Sequence, residues 1–226
     1  MSQNKGLNRI RDDEGFMKTI ILGLVLLFNV EAIAHPVSYK DATGMMSYNS
    51  PEMNELLITY SFNFNYAAAI MYIRDSKSEF AIPRFNYLVK RWNNHDSQGN
   101  FYLSGGVGSE KFDDKTYGVR LAEVIADWED RRYYTYLEHL NLTRDNDQNQ
   151  MLANRNYNHT KVRLGYAPFL ADYNDLNVWT ILQFDKHNEE KQIEATPFLR
   201  FFIKNVLWEI GAGFDGSTKF NFMVHL

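Results

Sequence analysis

The stretch "LLITYSFNFNY" at positions 56–66 narrows the fold more than any other part of this sequence. Leu56, Ile58, Tyr60, Phe62, Phe64 and Tyr66 alternate with Leu57, Thr59, Ser61, Asn63 and Asn65. An apolar residue at every second position is the period of a strand, whose side chains point to opposite faces in turn; a helix would repeat every three or four. The alternation recurs. Phe101, Leu103 and Val107 interleave with Tyr102, Ser104 and Gly106; Val162, Leu164 and Tyr166 with Lys161, Arg163 and Gly165. Leu199, Phe201 and Ile203 interleave with Arg200 and Lys204; Trp208 and Ile210 with Glu209 and Gly211. Beyond residue 35 no comparably long stretch shows a helical period.

Polar punctuation separates these runs into about twelve predicted strands: 43–49, 54–64, 67–74, 80–91, 100–108, 116–127, 131–142, 157–167, 176–186, 193–204, 206–214 and 217–226. The first is weak, so ten is the alternative count. No internal repeat or linker divides the run, and one all-β domain over 35–226 follows.

The N-terminal part is of a different kind. In "MKTIILGLVLLFNVEAIA", Lys18 precedes a short apolar core, Ile20 to Phe28, and Ala32-Ile33-Ala34 supplies small residues at a cleavage position. That is the layout of a secretory signal peptide over 17–34, too short for a spanning helix. Residues 1–16 are polar and carry Asp12, Asp13 and Glu14, where such a peptide wants a basic lead. We therefore expect translation to start at Met17 and the exported chain to begin at His35.

Two architectures suit a run of alternating strands, a soluble sandwich and a transmembrane antiparallel β-barrel. Export favours the barrel. So does strand length, about 9–12 residues in most of the runs, which suits a tilted membrane strand better than the shorter strands of a sandwich. Charges lie on the polar face of several strands, where a barrel would turn them to its lumen and the apolar face to lipid. Of the 34 aromatic residues, Tyr66, Trp92, Trp128, Tyr133, Tyr134, Trp179 and Trp208 fall near strand ends, as interfacial girdles do. With both ends of the domain in the periplasm, the outward loops would include "DSKSE", "SEKFDDK", "TRDNDQNQMLANRN" and "KHNEEK", polar and mostly charged.

The chain ends "KFNFMVHL". Phe220, Phe222, Val224 and Leu226 alternate back from the terminus. This resembles the C-terminal targeting strand of bacterial outer-membrane proteins, in which the last residue is usually Phe; Leu226 departs from that. "HPVSYK", "NYLVKRWNNHDSQGNFYLSGG" and "KNVLWEIGAGF" resemble a family of small, uncharacterised proteobacterial outer-membrane proteins. The resemblance implies a location in the outer membrane, with its lipid and its assembly machinery as partners, and carries no activity.

Composition excludes several functions. There is no cysteine, so no disulfide and no thiolate metal site. A net charge of −4 without a basic tract gives no support for nucleic-acid binding. No phosphate loop, nucleophile elbow or dinucleotide glycine motif is present, and no cofactor is implied. "GGVG" at 105–108 reads as room for neighbours in a curved strand. Outer-membrane phospholipases pair a Ser with His and Asn on a barrel of similar size, which makes a lipid-acting enzyme (a phospholipase or deacylase) the alternative class. Asn158 and His159, adjacent on a strand, point to opposite faces and cannot serve as orienter and base.

The remaining signal is a set of charges on the predicted lumen faces: Arg84, Lys90, His159, Lys161, Arg163, Arg200, Lys204 and Glu209. Read as a cationic stripe, they line a narrow passage favouring small anionic solutes. Read as an internal network paired with Glu209, Glu123 or Glu138, they fill the barrel. Both readings are open on sequence grounds. His35 is a candidate copper ligand through its imidazole and a free α-amine, against the plainer expectation that His-Pro begins a loose leader.

Overall fold

The computed structural model describes residues 35–144, 156–172, 174–187 and 192–226. The start at Met17, the signal peptide at 17–34 and the centre of the longest loop, 145–155, lie outside the described residues.

Twelve strands form one closed antiparallel barrel. They are β1 (Thr43–Asn49), β2 (Met53–Ser61), β3 (Tyr66–Asp75), β4 (Ser78–Asn93), β5 (Ser97–Phe112) and β6 (Lys115–Asp130), then β7 (Tyr133–Arg144), β8 (Tyr157–Tyr166), β9 (Asn177–His187), β10 (Glu194–Ile203), β11 (Val206–Ala212) and β12 (Thr218–His225). Each strand pairs with its sequence neighbours, and β12 closes on β1 with Met45 opposite Val224 and Ser47 opposite Phe222. Thr43 and Leu226 exchange backbone bonds of 2.9 and 2.7 Å at the seam. The apolar ending is therefore no open edge, because closure satisfies its backbone groups.

The alternation sorts side chains as a barrel requires. Ile58, Ile70, Leu103, Leu137, Leu164, Leu199 and Ile210 are exposed on the outer surface. Their neighbours in sequence, among them Leu57, Thr59, Tyr102, Glu138, Arg163, Arg200 and Glu209, are buried inside. Aromatic residues ring the end that carries the short turns: Tyr66 stacks on Tyr87 at 5.0 Å, Tyr60 meets Phe62 edge-on at 5.4 Å, and Tyr133 lies 5.7 Å from Tyr166. Trp92 and Trp128 are exposed near the same end. An apolar outer surface with an aromatic girdle is the surface a bilayer wets.

Two glycines show how tightly the sheet curves. A Cβ on Gly108 would stand 2.2 Å from the Ala81 carbonyl oxygen, and one on Gly106 2.6 Å from that of Pro83. Strands β4 and β5 approach there more closely than any side chain permits, which gives "GGVG" a backbone reason.

Candidate functional site

The barrel interior has two chemically different walls. Along β3, β4, β6 and β7, the half nearer the longer loops is filled by Met71, Ile73, Ile82, Val119, Leu121 and Leu142, in one buried cluster with Phe80 and Leu140. These side chains interdigitate as in a soluble core. Ser78, Glu110 and Arg144 cap the cluster: the Ser78 hydroxyl donates to Glu110 Oε1 at 2.7 Å, and Arg144 Nη2 donates to the same oxygen at 2.8 Å.

The other wall, β8 to β12 with the adjoining face of β7, is mainly charged, with Leu207 on β11 and Met223 on β12 joining the apolar cluster. Glu209 is fully buried and accepts three bonds of 2.7 Å: from Arg163 Nη2, Arg200 Nε and Asn221 Nδ2. Arg163 on β8 reaches across two strands to meet β11, so the pair braces the lumen. Lys161 Nζ donates to Glu138 Oε1 at 3.1 Å, and the Tyr136 hydroxyl donates to Oε2 at 2.5 Å. His159 Nε2 lies 2.9 Å from Asp185 Oδ1, and its ring stacks on His187 at 4.2 Å. Lys219 is held by Glu194 at 2.6 Å and Asp185 at 3.7 Å. Nearer the other wall, Arg84 Nη1 donates to Glu123 Oε1 at 3.4 Å and Nη2 pairs with Oε2, while Arg84 Nε donates to Asn86 at 2.9 Å.

Aromatic faces take up the cations as well. Arg200 lies 4.5 Å from the Tyr134 ring centroid, Lys161 5.2 Å from that of Tyr48, and Arg163 5.4 Å from that of Phe198. Each cation is bonded to a carboxylate and set against a ring, an arrangement that offsets the cost of taking charge out of water.

Between the walls runs a cavity of about 1330 Å³. Its lining reaches both ends of the barrel. Ser50, Glu52, Asp75 and Asp215 stand at the rim of the longer loops; Glu129, Asp130, Asn177 and Trp179 stand at the rim of the short turns. Beside the second rim the segment before β1 folds inward. Val37 is fully buried with Ala67, Leu88, Tyr102 and Ile125. Asn86 Nδ2 donates to the Pro36 carbonyl at 3.1 Å, and the Ser38 amide donates to Ser61 Oγ at 2.9 Å. His35 is buried with Nδ1 3.4 Å from Asp127 Oδ2 and its ring 5.9 Å from Tyr102.

Of the eight charged residues expected in the lumen, Arg84, His159, Lys161, Arg163 and Arg200 line the cavity, and Glu209 lies buried behind it as their anchor. Two do not. Lys90 is exposed, because the β4–β5 register shifts between Leu88 and Lys90. Counting by twos from Arg84 fails after that bulge, and Arg91 turns in instead, its Nε donating to Asn100 at 2.6 Å. Lys204 occupies the two-residue turn between β10 and β11 with φ of 52° and is exposed. Tyr134 and Trp179, expected in the girdle, line the cavity. The expected loose leader at His35 is packed inside the barrel. In the targeting strand Phe220 and Leu226 are exposed, Phe222 is half-buried and Val224 is covered. Residues that sequence reasoning passed over include Asp185, Gln183 and Lys219. The polar alternation of 183 and 185 was present in the chain, but nothing local marked them as partners of His159 and Lys219.

No protein-family profile matches the chain, and no curated protein does. Among solved structures it is similar to the KdgM porin, at 13% identity over 81% of this chain and 97% of that one, with a TM-score of 0.46. The same porin in complex with disordered oligogalacturonate gives 13% identity, the same coverage and 0.49. A BenF-like porin from Pseudomonas fluorescens gives 12% identity over 80% of this chain and 58% of that one, at 0.41.

Proposed function

We propose that this chain is an outer-membrane barrel that passes small solutes through its lumen without catalysis. The observation that carries the reading is the cavity whose lining reaches both rims. A barrel built only for structure gains nothing from such a space, since filling it would add dispersion contacts. The apolar, girdled outside supports placement in a bilayer, and the predicted export peptide and the C-terminal strand "KFNFMVHL" support the outer membrane as the bilayer concerned. The lipid of that membrane and the machinery that inserts barrels are the partners this implies.

The anion preference read from the cationic stripe loses its motive, because every Lys and Arg lining the cavity is bonded to a carboxylate. Nor does a lipid-acting enzyme gain support. Asp185 and His187 engage His159, and among the described residues no serine hydroxyl bonds to it.

Fractionation of a Gram-negative host tests the location: the chain should appear in the outer membrane with heat-modifiable gel mobility. Recovery from the soluble periplasm would refute the placement. Purified barrel in planar bilayers tests passage and should give discrete conductance steps. An epitope tag at 145–150 should be reachable on intact cells if the longer loops face outward; reachability only after permeabilisation would invert the orientation.

A further inference from the structure

We propose that the passage selects cations, small organic amines among them, an inference that rests on the passage reading above. Eleven Asp and Glu side chains line the cavity against five Lys and Arg. All five cations are internally bonded, to Glu123, Glu138, Glu209 or Glu194. Those pairs leave little net charge in the middle of the lumen, so the sign of the field is set by what remains unmatched.

What remains stands at the two mouths, and it is acidic at both. Glu52, Asp75 and Asp215 line the loop rim; Asp127, Glu129 and Asp130 line the turn rim, where Asp127 faces the imidazole of His35. The cation nearest each mouth is already taken up: Lys219 at the loop end by Glu194 and Asp185, and Arg200, opposite Trp179 at the turn end, by Glu209. Three of these carboxylates are held in place by the turns they cap. Asp75 Oδ1 accepts from the amides of Lys77 and Ser78, both at 2.6 Å. Asp130 Oδ1 accepts from Arg132 and Tyr133, both at 2.6 Å. Asp215 Oδ1 accepts from the Ser217 hydroxyl at 2.7 Å and its amide at 2.9 Å. Those bonds from Ser217 hold the Asp215 carboxyl below the usual carboxylate range, so it is ionised at neutral pH.

Acidic rings at the ends of a low-dielectric tube focus a negative potential along it, which concentrates cations and repels anions. The lining between the mouths suits organic cations: Tyr48, Tyr157, Phe198 and Phe202 belong to it, and two of these rings, Tyr48 and Phe198, already have a cation set against them.

The test is the zero-current potential of the wild-type barrel in a planar bilayer across a KCl gradient, beside a Glu52→Gln/Asp75→Asn/Asp215→Asn variant. All three positions are exposed, and the amides keep a side-chain oxygen for the turn bonds. Heat-modifiable mobility checks that the variant has folded. The wild type should be cation-selective, and the preference should shrink in about 1 M salt, where screening acts within about 3 Å. The variant should move several-fold toward equal permeability, and permeation by tetramethylammonium should fall with it. An anion-selective or unselective wild type overturns the inference, as does a folded variant with unchanged selectivity. A bilayer that stays silent overturns passage itself, which separates that failure from a failure of selectivity alone.

Discussion

In the half nearer the longer loops, the inner faces of β3, β4, β6 and β7 are stabilised in the opposite way from the charged inner faces of β8 to β12. On the first, Met71, Ile82, Leu121 and Leu142 exclude water by packing, and the lumen there is closed. On the second, charges exclude nothing; they pair with one another and leave a cavity along the wall. Apolar side chains satisfy themselves by contact, so they collapse onto each other until the space is gone. Ion pairs need particular partners at particular distances, so they stop once bonded and leave the remaining volume to water or solute. An opening in a twelve-stranded barrel thus follows from which strands carry charge.

The difference can be broken most severely at Glu209. Glu209→Ala leaves Arg163 and Arg200 buried without their anion, and should cost about 3–5 kcal/mol. Denaturant titration of the heat-modifiable form measures it. Replacing both arginines and the glutamate together by apolar residues should recover much of that loss, and should also reduce conductance as the charged wall becomes a packed one. A triple variant that conducts as before would show that the two walls do not divide the work as described.

Next in size is a charge on the outside. Phe222→Arg, on the outer face of β12, should cost about 2–4 kcal/mol if that position lies near the bilayer midplane. The yield of membrane-inserted barrel is the readout. Asn221→Gln, one residue away and facing Glu209, keeps a donor toward the carboxylate and should assemble nearly normally. The opposite ranking would mean that the register of β12 is off by one and that inside and outside are exchanged along it.

The packed wall is sharpened by a smaller change. Ile82→Val should cost about 0.5–1.5 kcal/mol, since its methylene is lost from a filled cluster. Ile210→Val, on the outer surface, should cost distinctly less if that surface faces a bilayer as proposed, because lipid would fill the space a shortened side chain leaves. Equal losses would mean that the interior cluster is looser than a core.

The smallest effect expected is at the β10–β11 turn. Lys204→Gly removes a side chain from a left-handed position and should stabilise the barrel by up to about 1 kcal/mol without altering conductance. A changed conductance would return Lys204 to the lumen.

Much of this architecture was legible before any coordinates. The period-2 alternation carried the all-β class, the strand positions and the facing of Ile58, Leu164, Arg163 and Arg200, because a strand's two faces are decided locally by its own backbone geometry. The same reasoning broke at Lys90, where one extra residue in β4 exchanges the faces, and at Lys204, where the strand had already ended. Bulges and turn ends depend on how two strands meet, and a single strand's pattern does not record them. The inward packing of His35 to Val37 was invisible for a related reason: a short polar and apolar mixture has no period, and its place depends on the space that Leu88, Tyr102 and Ile125 leave.

The sequence alone determined that alternating strands, apolar on one side, would require a surface that is not water, and that charged residues would be on the other side of the sheet. Only the tertiary structure decided what those charges do. Arg84 could be read as a bare cation in a passage or as half of a pair. Closure of β12 on β1 brought twelve strands around one lumen, and there Glu123 on β6 took up Arg84 on β4, and Glu209 on β11 took up Arg163 on β8. Partners that lie 39 and 46 residues apart in the chain meet only once the strands between them have paired and the sheet has curved. Electrostatic energy depends on that distance through space, which no local pattern along the sequence can encode.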